Sequence, residues 1–240
     1  MTSSNPGQAT LFTSVPHACS YLTGHTAATL FIDPQRHLDV AWFTHLTGNG
    51  FRRSGDFVYR PHCPQCSACV PVRVPVEAFT PNRSQKRNWL RNQDLTIRNT
   101  EAKFDQEHFE LYKEYQHHRH PGGGMDEGDP QRYVEFLLTR HADTYFYELR
   151  LHQKLLAVAV ADRLSDGLSA VYTFYDLTVP KRGLGIFSIL LEIEKARRLN
   201  LKWLYLGYWI KQSPKMDYKC NFRPIQAYRN GRWSQLDDDR

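Results

Sequence analysis

Apolar positions in the second half of the chain recur first at every second residue and then at helical spacing. Three short runs rich in apolar and β-branched residues predict strands over 144–149, 155–161 and 168–175. The short turns between them are typical of an antiparallel meander. A helix is predicted over about 185–199, and the apolar run 203–206 predicts a further strand. This order of elements predicts a mixed α/β fold.

The first half of the chain has shorter apolar runs. Strands are predicted over 29–32 and 57–60, and alternating valines predict another over 70–74. Asp33 and Pro34 are expected to cap and open a helix that continues to Leu46. Ser84 is expected to cap a short helix over 84–92.

A change of composition near residue 104 suggests a boundary between two units. A helix with aromatic residues at helical spacing is predicted over 104–119, and Asp129 and Pro130 open the next one. Between them, the glycine-rich run 121–125 predicts a mobile loop. We therefore expect an α/β (α+β) fold with a smaller N-terminal, cysteine-containing domain over 1–103. The larger domain, over 104–240, should hold a mixed sheet flanked by helices.

The composition is that of an ordinary globular protein. The chain has 240 residues, of which 41% are hydrophobic and 23% charged. No apolar run approaches the roughly 20 residues of a membrane span, so no membrane partner is expected. The first residues lack the basic and apolar regions of a secretory signal, which favours a cytoplasmic protein.

Positive charge is concentrated in one part of the chain. The net charge is +6, and the region 52–91 alone carries eight Lys or Arg residues against two acidic ones. Such a patch favours a polyanion, above all a nucleic acid, as partner. The predicted helix 84–92 is the best candidate for phosphate contacts; its basic residues and the one before it are Arg83, Lys86, Arg87 and Arg91. The alternative is a solvated basic face of an ordinary domain.

A glycine-containing turn joins a predicted strand to the predicted helix 185–199. Gly183 and Gly185 free backbone N–H groups at a helix start, and Arg182 adds a positive charge, which suits phosphate. The N-acetyltransferase superfamily holds the pyrophosphate of coenzyme A in this way, but Pro180 stands where that pattern has Gln or Arg. A plain tight turn is the alternative.

A lysine-rich loop follows the last predicted strand of this unit. Lys211, Lys215 and Lys219 lie there, just beyond the carboxyl end of a strand, where α/β sheets bind ligands. These lysines would suit an acidic group on a substrate. The alternative is an exposed basic loop.

Three of the five cysteines are closely spaced. Cys63, Cys66 and Cys69 would supply three ligands of a tetrahedral zinc site. The fourth ligand would come from Cys19, His62 or His17. Packed free thiols are the alternative, and Cys220 is expected to be a small buried residue.

Several motifs in a fixed order resemble the aminoacyl-tRNA–protein transferases. They span most of the chain, from about His17 to Trp233, and include GFRRSG at 50–55, YRP-x-C at 59–63, SQKR at 84–87, FYD at 174–176, GLG at 183–185, YLGYWI at 205–210 and SPKM-x-YK at 213–219. The short length and the C-x-x-C-x-x-C form are similar to the bacterial branch, the aspartate/glutamate leucyltransferases.

The resemblance implies an activity and a fold. The expected reaction transfers leucine from leucyl-tRNA to the α-amine of a protein that begins with Asp or Glu, which marks that protein for degradation by the N-end rule pathway. It also implies an acetyltransferase-like catalytic fold and a cytoplasmic location. Eukaryotic relatives resemble an iron–sulfur protein at their cysteines, but this chain has Leu22 and His62 where they have cysteine. A structural zinc or iron–sulfur cluster thus stays an open alternative, and the chemistry itself requires no cofactor.

Roles for individual residues follow from the chemistry of an amine attacking an ester. Backbone amides near 172–175 are candidate oxyanion donors, and Tyr175 is a candidate catalytic residue. Asp176 is expected to orient or deprotonate the amine, and Tyr218 to donate to the leaving ribose oxygen. The alternative for Asp176 is a turn-forming aspartate.

Three other functions remain open at this point. Arginyl-tRNA can replace leucyl-tRNA as the donor, since no residue of the aminoacyl pocket can be identified. A coenzyme A-dependent N-acetyltransferase is a second enzyme class, which Pro180 and the basic first half disfavour. A zinc-stapled RNA-binding module would bind tRNA without making a product.

Overall fold

The computed structural model describes residues 10–119 and 128–236. The expected mobile loop at 121–125 lies outside these residues. The strands are β1 (Leu11–Thr13), β2 (His17–Ala18), β3 (Thr26–Ala27), β4 (Thr29–Ile32), β5 (Arg52–Ser54), β6 (Phe57–Pro61), β7 (Val70–Pro75), β8 (Thr96–Glu101), β9 (Asp143–Leu151), β10 (Lys154–Arg163), β11 (Gly167–Tyr175), β12 (Trp203–Trp209), β13 (Gln226–Arg229) and β14 (Arg232–Gln235). The helices are α1 (Val40–Gly48), α2 (Arg83–Arg91), α3 (Gln106–Arg119), α4 (Pro130–Leu137), α5 (Leu184–Arg198) and the single turn α6 (Pro214–Asp217).

One large mixed sheet dominates the described part of the chain. Its eight strands lie in the order β14-β13-β7-β12-β11-β10-β9-β8. The predicted meander is β9–β10–β11, and all of its pairs are antiparallel. The predicted strand–helix–strand unit is β11–α5–β12, and it gives the sheet its parallel pair. The expected mixed sheet flanked by helices is confirmed.

The two faces of the sheet bury different helices. Alternate residues of β10 point to opposite faces, as the pleat requires. Val158 and Val160 pack with the aromatic side chains of α3 and α4, whereas Ala157 and Ala159 pack under α5. This explains why β10 is apolar at successive positions: both of its faces are covered.

A second, smaller sheet lies in the N-terminal part. It has the order β1-β4-β6-β5 and packs with α1 around Phe43, Phe51 and Val58. A buried ion pair ties it to the large sheet, because the Arg53 guanidinium contacts the Asp162 carboxylate on β10 at 2.6 Å. Both side chains are almost fully buried, so the two sheets form one packed body at this point.

Three expectations from the first half are corrected by local chemistry. Helix α1 begins at Val40 because the Asp39 side chain, and not that of Asp33, accepts a hydrogen bond from a helix N–H. Helix α2 is capped by Asn82 in a capping box with Gln85, and not by Ser84.

The third correction concerns the extent of the N-terminal unit. Strands β7 and β8 precede the expected boundary at residue 103, yet both belong to the large sheet. A separate N-terminal sheet therefore includes strands only up to Pro61. None of the helices in the described part of the chain combines the length and the apolar character of a bilayer-spanning segment.

Candidate active site

The parallel strands β11 and β12 separate after three paired residues. Their pairing runs from Gly167 opposite Trp203 to Ser169 opposite Tyr205 and goes no further in the described residues. The next step of β11 is a β-bulge, since Ala161 and Val160 of β10 pair with Ala170 and Tyr172, which leaves Val171 extra. A bulge bends its strand. We call the gap between the diverging ends of β11 and β12 the splay.

Arg52 of the N-terminal sheet enters the splay. Its guanidinium donates to the Ser169 hydroxyl at 2.7 Å and to the Ala170 carbonyl, both on β11. On the β12 side it lies against Gly207, which has a φ of 75° and where an added Cβ would lie 3.0 Å from the Arg52 Nε. Burial lowers the pKa of Arg52. The N-terminal unit thus supplies a cation to the centre of the large sheet.

Glu192 of α5 faces the same region from the opposite side. Neighbouring α5 residues on one side pack towards β12 and on the other towards β9 and β10, so Glu192 lies over the middle of the sheet. Its side chain is 1% exposed, and neither carboxylate oxygen has a hydrogen-bond partner among the described residues. Burial raises the pKa of Glu192 to about 8, and Arg52 opposes that rise.

Of the predicted catalytic residues, Tyr218 lies near this carboxylate and also near Tyr175. Burial, with smaller contributions from Glu192 and Tyr175, raises the pKa of Tyr218 to about 12. The Tyr175 ring is 4.9 Å from that of Tyr115 on α3, and it also faces Gly185 at the start of α5. Tyr218 is 37% exposed, whereas Glu192 is buried.

The third predicted catalytic residue, Asp176, lies at the end of β11 in a turn. Its carboxylate accepts hydrogen bonds from Lys154 Nζ at 2.6 Å and from the Thr178 hydroxyl and N–H at 2.6 and 2.8 Å. Burial alone would raise the pKa of Asp176, but these hydrogen bonds hold it below its ordinary value. Its oxygens are thus already engaged within the protein.

The structure brings the two predicted phosphate-binding segments together. Helix α2 docks on the turn before α5, where Asn88 donates to the Arg182 and Gly183 carbonyls at 2.9 and 3.1 Å. Gly183 has a φ of 62°, and an added Cβ would lie 2.6 Å from the Asn88 amide nitrogen. Arg182 itself forms a bidentate ion pair with Asp94 at 2.8 and 2.9 Å. The exposed basic side chains of α2 therefore lie beside the start of α5.

The basic region 52–91 divides into an internal and an external half. Arg53 pairs with Asp162, Arg52 enters the splay, Arg60 lies over the Phe51 ring, and Arg73 stacks on Trp203. The four remaining cations are all exposed and all lie on α2: Arg83, Lys86, Arg87 and Arg91. The sequence count of charge thus overstated the surface patch, which is narrower and lies on one helix.

The three predicted acceptor-binding lysines occupy different environments. Lys211 and Lys215 are exposed at the loop surface. Lys219 is buried and donates to the Tyr208 carbonyl at 2.7 Å, at the end of β12. Burial, with a smaller contribution from Arg52, lowers the pKa of Lys219 to about 7. Only Lys219 of the three therefore reaches the interior near the splay.

The predicted metal ligands lie near one another but do not form a ligand set. Burial raises the pKa of Cys69 to about 12, and Cys19, Cys63 and Cys66 are near enough to contribute to that rise. In the described residues no group of three or more His, Cys, Asp or Glu side chains has an arrangement that would hold a metal ion. Cys220 is buried, as expected.

Sequence reasoning missed Glu192 and gave Arg52 a different role. The signal for Glu192 was a charged residue between Leu191 and Ile193, inside the apolar half of a predicted helix. Arg52 was counted with the surface charge, because nothing in the sequence shows that β11 and β12 diverge.

Two family models match the chain. The model described as arginine-tRNA-protein transferase, N terminus, matches residues 17–87, and the one described as arginine-tRNA-protein transferase, C terminus, matches residues 107–229. Together they include α2's first residues, the splay and the lysine-rich loop.

Curated relatives match over nearly the whole chain. An aspartate/glutamate leucyltransferase of Nitrosococcus oceani is 49% identical over 94% of this chain and 95% of its own. One from Pseudomonas syringae pv. syringae is 48% identical, over 94% and 96%, and one from Alcanivorax borkumensis 47%, over 93% of each. Among solved structures, the C-terminal domain of a putative lysylphosphatidylglycerol synthetase from Agrobacterium fabrum is 14% identical with a TM-score of 0.45, over 70% of this chain and 50% of that one.

Proposed function

The chain belongs to the arginine-tRNA-protein transferase family, and we propose that it acts as an aspartate/glutamate leucyltransferase of that family. It transfers leucine from leucyl-tRNA to the α-amine of proteins whose first residue is Asp or Glu. The observation that carries this conclusion is the near 50% identity to such enzymes over about 94% of the chain. The leucine added in this way would mark the acceptor for degradation.

The chemistry needs two substrates held together and little else. A free α-amine has a pKa of roughly 7.7–8.0, so a useful fraction is uncharged at neutral pH. It attacks the carbonyl carbon of the aminoacyl ester, the new C–N bond forms, and the C–O bond to the ribose breaks. No covalent enzyme intermediate is needed, so positioning and stabilisation of the oxyanion are the main tasks of the protein.

The splay is the place that suits this reaction. The backbone of β11 beyond Ala170 is not paired with β12, which supports the proposal that amides near 172–175 donate to the oxyanion. Tyr175 and Tyr218 lie beside each other there, which supports a role for Tyr218 in donating a proton to the leaving ribose oxygen. Asp176 lies at the same strand end. Because its carboxylate is bonded to Lys154 and Thr178, we propose that it orients the amine by holding the turn after β11 in place.

We assign tRNA binding to α2 and the turn before α5. Arg83, Lys86, Arg87 and Arg91 form an exposed row, and α2 fixes them beside Arg182, Gly183 and Gly185 through its asparagine contacts. This position lies next to Tyr175, because the Tyr175 ring faces Gly185. A tRNA acceptor stem on α2 would therefore end near the splay.

The acidic side chain of the acceptor is assigned to the lysine-rich loop. Lys211 and Lys215 are exposed and meet an approaching anion first, whereas Lys219 is the buried member near the splay. The carboxylate of the acceptor's Asp or Glu, placed near Lys219, would favour the charged form of Lys219 that burial disfavours.

The reaction requires no metal, because an activated ester is the donor. The cysteine cluster is therefore proposed as a structural element, with zinc or an iron–sulfur cluster as candidate occupants, although the present arrangement forms no ligand set. Elemental analysis of protein purified without air decides this point. Since leucyl-tRNA is made where proteins are translated, we propose that the enzyme works in the cytoplasm.

The proposal is tested with the purified chain and one peptide that begins with Asp. The peptide is incubated with leucyl-tRNA or, separately, with arginyl-tRNA, and its mass is measured. A leucine mass gain is expected with the first donor. An arginine mass gain would instead support the second candidate activity, transfer of arginine from arginyl-tRNA, for which the matching family models are named. No gain with either donor, from folded protein and intact charged tRNA, would overturn the function.

A further inference from the structure

A carboxylate without partners is buried in the middle of the proposed active site. Glu192 is 1% exposed, and both of its oxygens lack hydrogen-bond donors among the described residues. Leaving such a group unpaired in the interior costs several times more than pairing it, so most buried charges in proteins have a partner. The absence of one here suggests that the partner arrives with a ligand.

The surroundings of Glu192 define the chemistry of that ligand. Arg52 is the cation that acts on the pKa of Glu192. Its guanidinium, however, already donates to Ser169 and Ala170 on β11. The other titratable groups facing Glu192 are Tyr147 of β9 and Tyr218, and neither donates to it. When Glu192 is ionised, its two oxygens are acceptors to which no described residue donates, which fits an ammonium group and does not fit a carboxylate or a phosphate. A bound ammonium group would favour that ionised form over the protonated form that burial favours.

We propose that Glu192 binds a primary ammonium group of a substrate at the splay. This inference rests on the proposed leucyl transfer, in which both substrates present such a group. One source is the α-ammonium of the leucyl ester on tRNA, and the other is the α-ammonium of the acceptor protein. Tyr218 is a partly exposed neighbour of Glu192, and in this proposal its side chain moves aside to admit the ligand.

The arrangement also explains why Arg52 and Glu192 do not bond to each other. Arg52 is held on β11 from the N-terminal side, and Glu192 is held on α5 from the other side. Two fixed, opposite charges at a strand gap match a substrate end that carries an ammonium near a carbonyl or carboxylate oxygen. Both charged side chains are thus in position before the ligand binds, and the ligand would contact both.

The test combines the variant Glu192→Gln with substrates that lack one ammonium group. Glu194→Gln, two residues along α5, is the matched control, because Glu194 is already paired with the half-buried Arg197 and the exposed Arg198. With leucyl-tRNA and an Asp peptide, Glu192→Gln should lower kcat/KM by roughly 30- to 100-fold, whereas Glu194→Gln should change it less than about twofold.

Two substitutions in the substrates identify the source. In the first, deaminated leucyl-tRNA carries a hydroxyl in place of the leucyl α-amine. In the second, the acceptor carries an aminooxy nitrogen, which is uncharged at neutral pH, in place of its α-amine. If Glu192 binds the donor ammonium, the difference between Glu192→Gln and wild type disappears with deaminated leucyl-tRNA. If it binds the acceptor ammonium, the difference disappears with the aminooxy peptide.

A loss of activity that stays equally large with both modified substrates would overturn the inference, because Glu192 would then act only through the fold. The same result follows if Glu192→Gln is as active as wild type with the natural pair. Circular dichroism and thermal melts of both variants establish that they fold. Failure of the wild-type protein to transfer leucine at all would instead contradict the proposed function, so the two failures are distinguishable.

Discussion

At the scale of single residues, the active site depends on ionisable groups that the fold buries. Glu192 and Lys219 both lie near Arg52, and burial moves the pKa of each towards its neutral form. Such groups usually reduce the stability of the protein and are found where a ligand needs them. Stability measurements can therefore detect them without any substrate.

Glu192 should make the stability of the wild-type protein fall as pH rises. Its pKa is about 8 in the folded chain and near 4.5 when unfolded, so the folded state holds a proton that the unfolded state has lost between these values. The contribution of protonated Glu192 to the free energy of unfolding is therefore fully present below pH 4.5 and is lost as pH rises through 8. Glu192→Gln should differ little from wild type near pH 5 and be more stable by on the order of 4 kcal/mol at pH 8.5.

The measurement is the free energy of unfolding in urea for both proteins at the two pH values. Glu194→Gln serves as control and should show no such divergence. Equal stability of Glu192→Gln and wild type at pH 8.5 would mean that the carboxylate has a partner in solution.

Arg53 should behave in the opposite way, as an ordinary buried pair. Replacing it by Met leaves the Asp162 carboxylate uncompensated at 0% exposure, so a loss of about 3–5 kcal/mol is expected. Arg198→Met removes an exposed pair with Glu194 and should cost less than about 1 kcal/mol. Chemical denaturation compares the two, and similar losses would contradict the burial of the Arg53 pair.

At the scale of elements, the contact between α2 and the turn before α5 links tRNA binding to the site. The sequence predicted both segments but not their contact, because the contact depends on two asparagines that donate to backbone carbonyls. Hydrogen bonds of this kind, between segments some 90 residues apart, follow no pattern in the sequence.

Gly183 is required at that contact for two separable reasons. Its φ is 62°, and a Cβ would also approach Asn88; Gly24 has a φ of 78° with nothing within 4 Å of an added Cβ. Gly24→Ala should therefore cost about 1 kcal/mol from the backbone alone, and Gly183→Ala clearly more. Thermal melts measure the difference, and equal costs would show that α2 does not approach the turn as closely as described.

Helix α2 should carry a large share of the tRNA affinity. Reversing Lys86 and Arg87 to Glu should weaken binding at least tenfold and lower the salt dependence of the affinity, since fewer counterions are released. The control reverses Arg229 and Arg232, which are exposed on the β13–β14 hairpin. Filter binding at several salt concentrations measures both, and an equal effect of the two reversals would contradict a site on α2.

At the scale of the whole molecule, the sequence predicted the order of the elements along the chain better than which strands pair with each other. The meander, α5 and β12 follow from hydrophobic periodicity, which burial on one or both faces imposes. The placement of β7 between β12 and β13 does not follow, because strand pairing across more than 100 residues is set by the packed sheet. For the same reason the expected boundary at residue 103 divides strands that belong to one sheet.

The same distinction explains the candidate site. Tyr175 and Tyr218 were predicted from motifs, and the structure brings them together. Arg52 and Glu192 lie 140 positions apart in the sequence, and only the folded structure brings them near enough to influence each other electrostatically. A charged residue within an apolar helix was the available signal for Glu192, and its ligand class required the structure.

The central claim is tested most directly by a competition in one tube. The wild-type protein is incubated with equal amounts of leucyl- and arginyl-tRNA and a set of peptides that differ only at the first residue: Asp, Glu, Asn, Gln and N-acetylated Asp. Tandem mass spectrometry identifies the added residue and its position. We predict leucine on the α-amine of the Asp and Glu peptides and no addition to the others. Arginine as the added residue, or leucine on the Asn and Gln peptides to the same extent, would contradict the account.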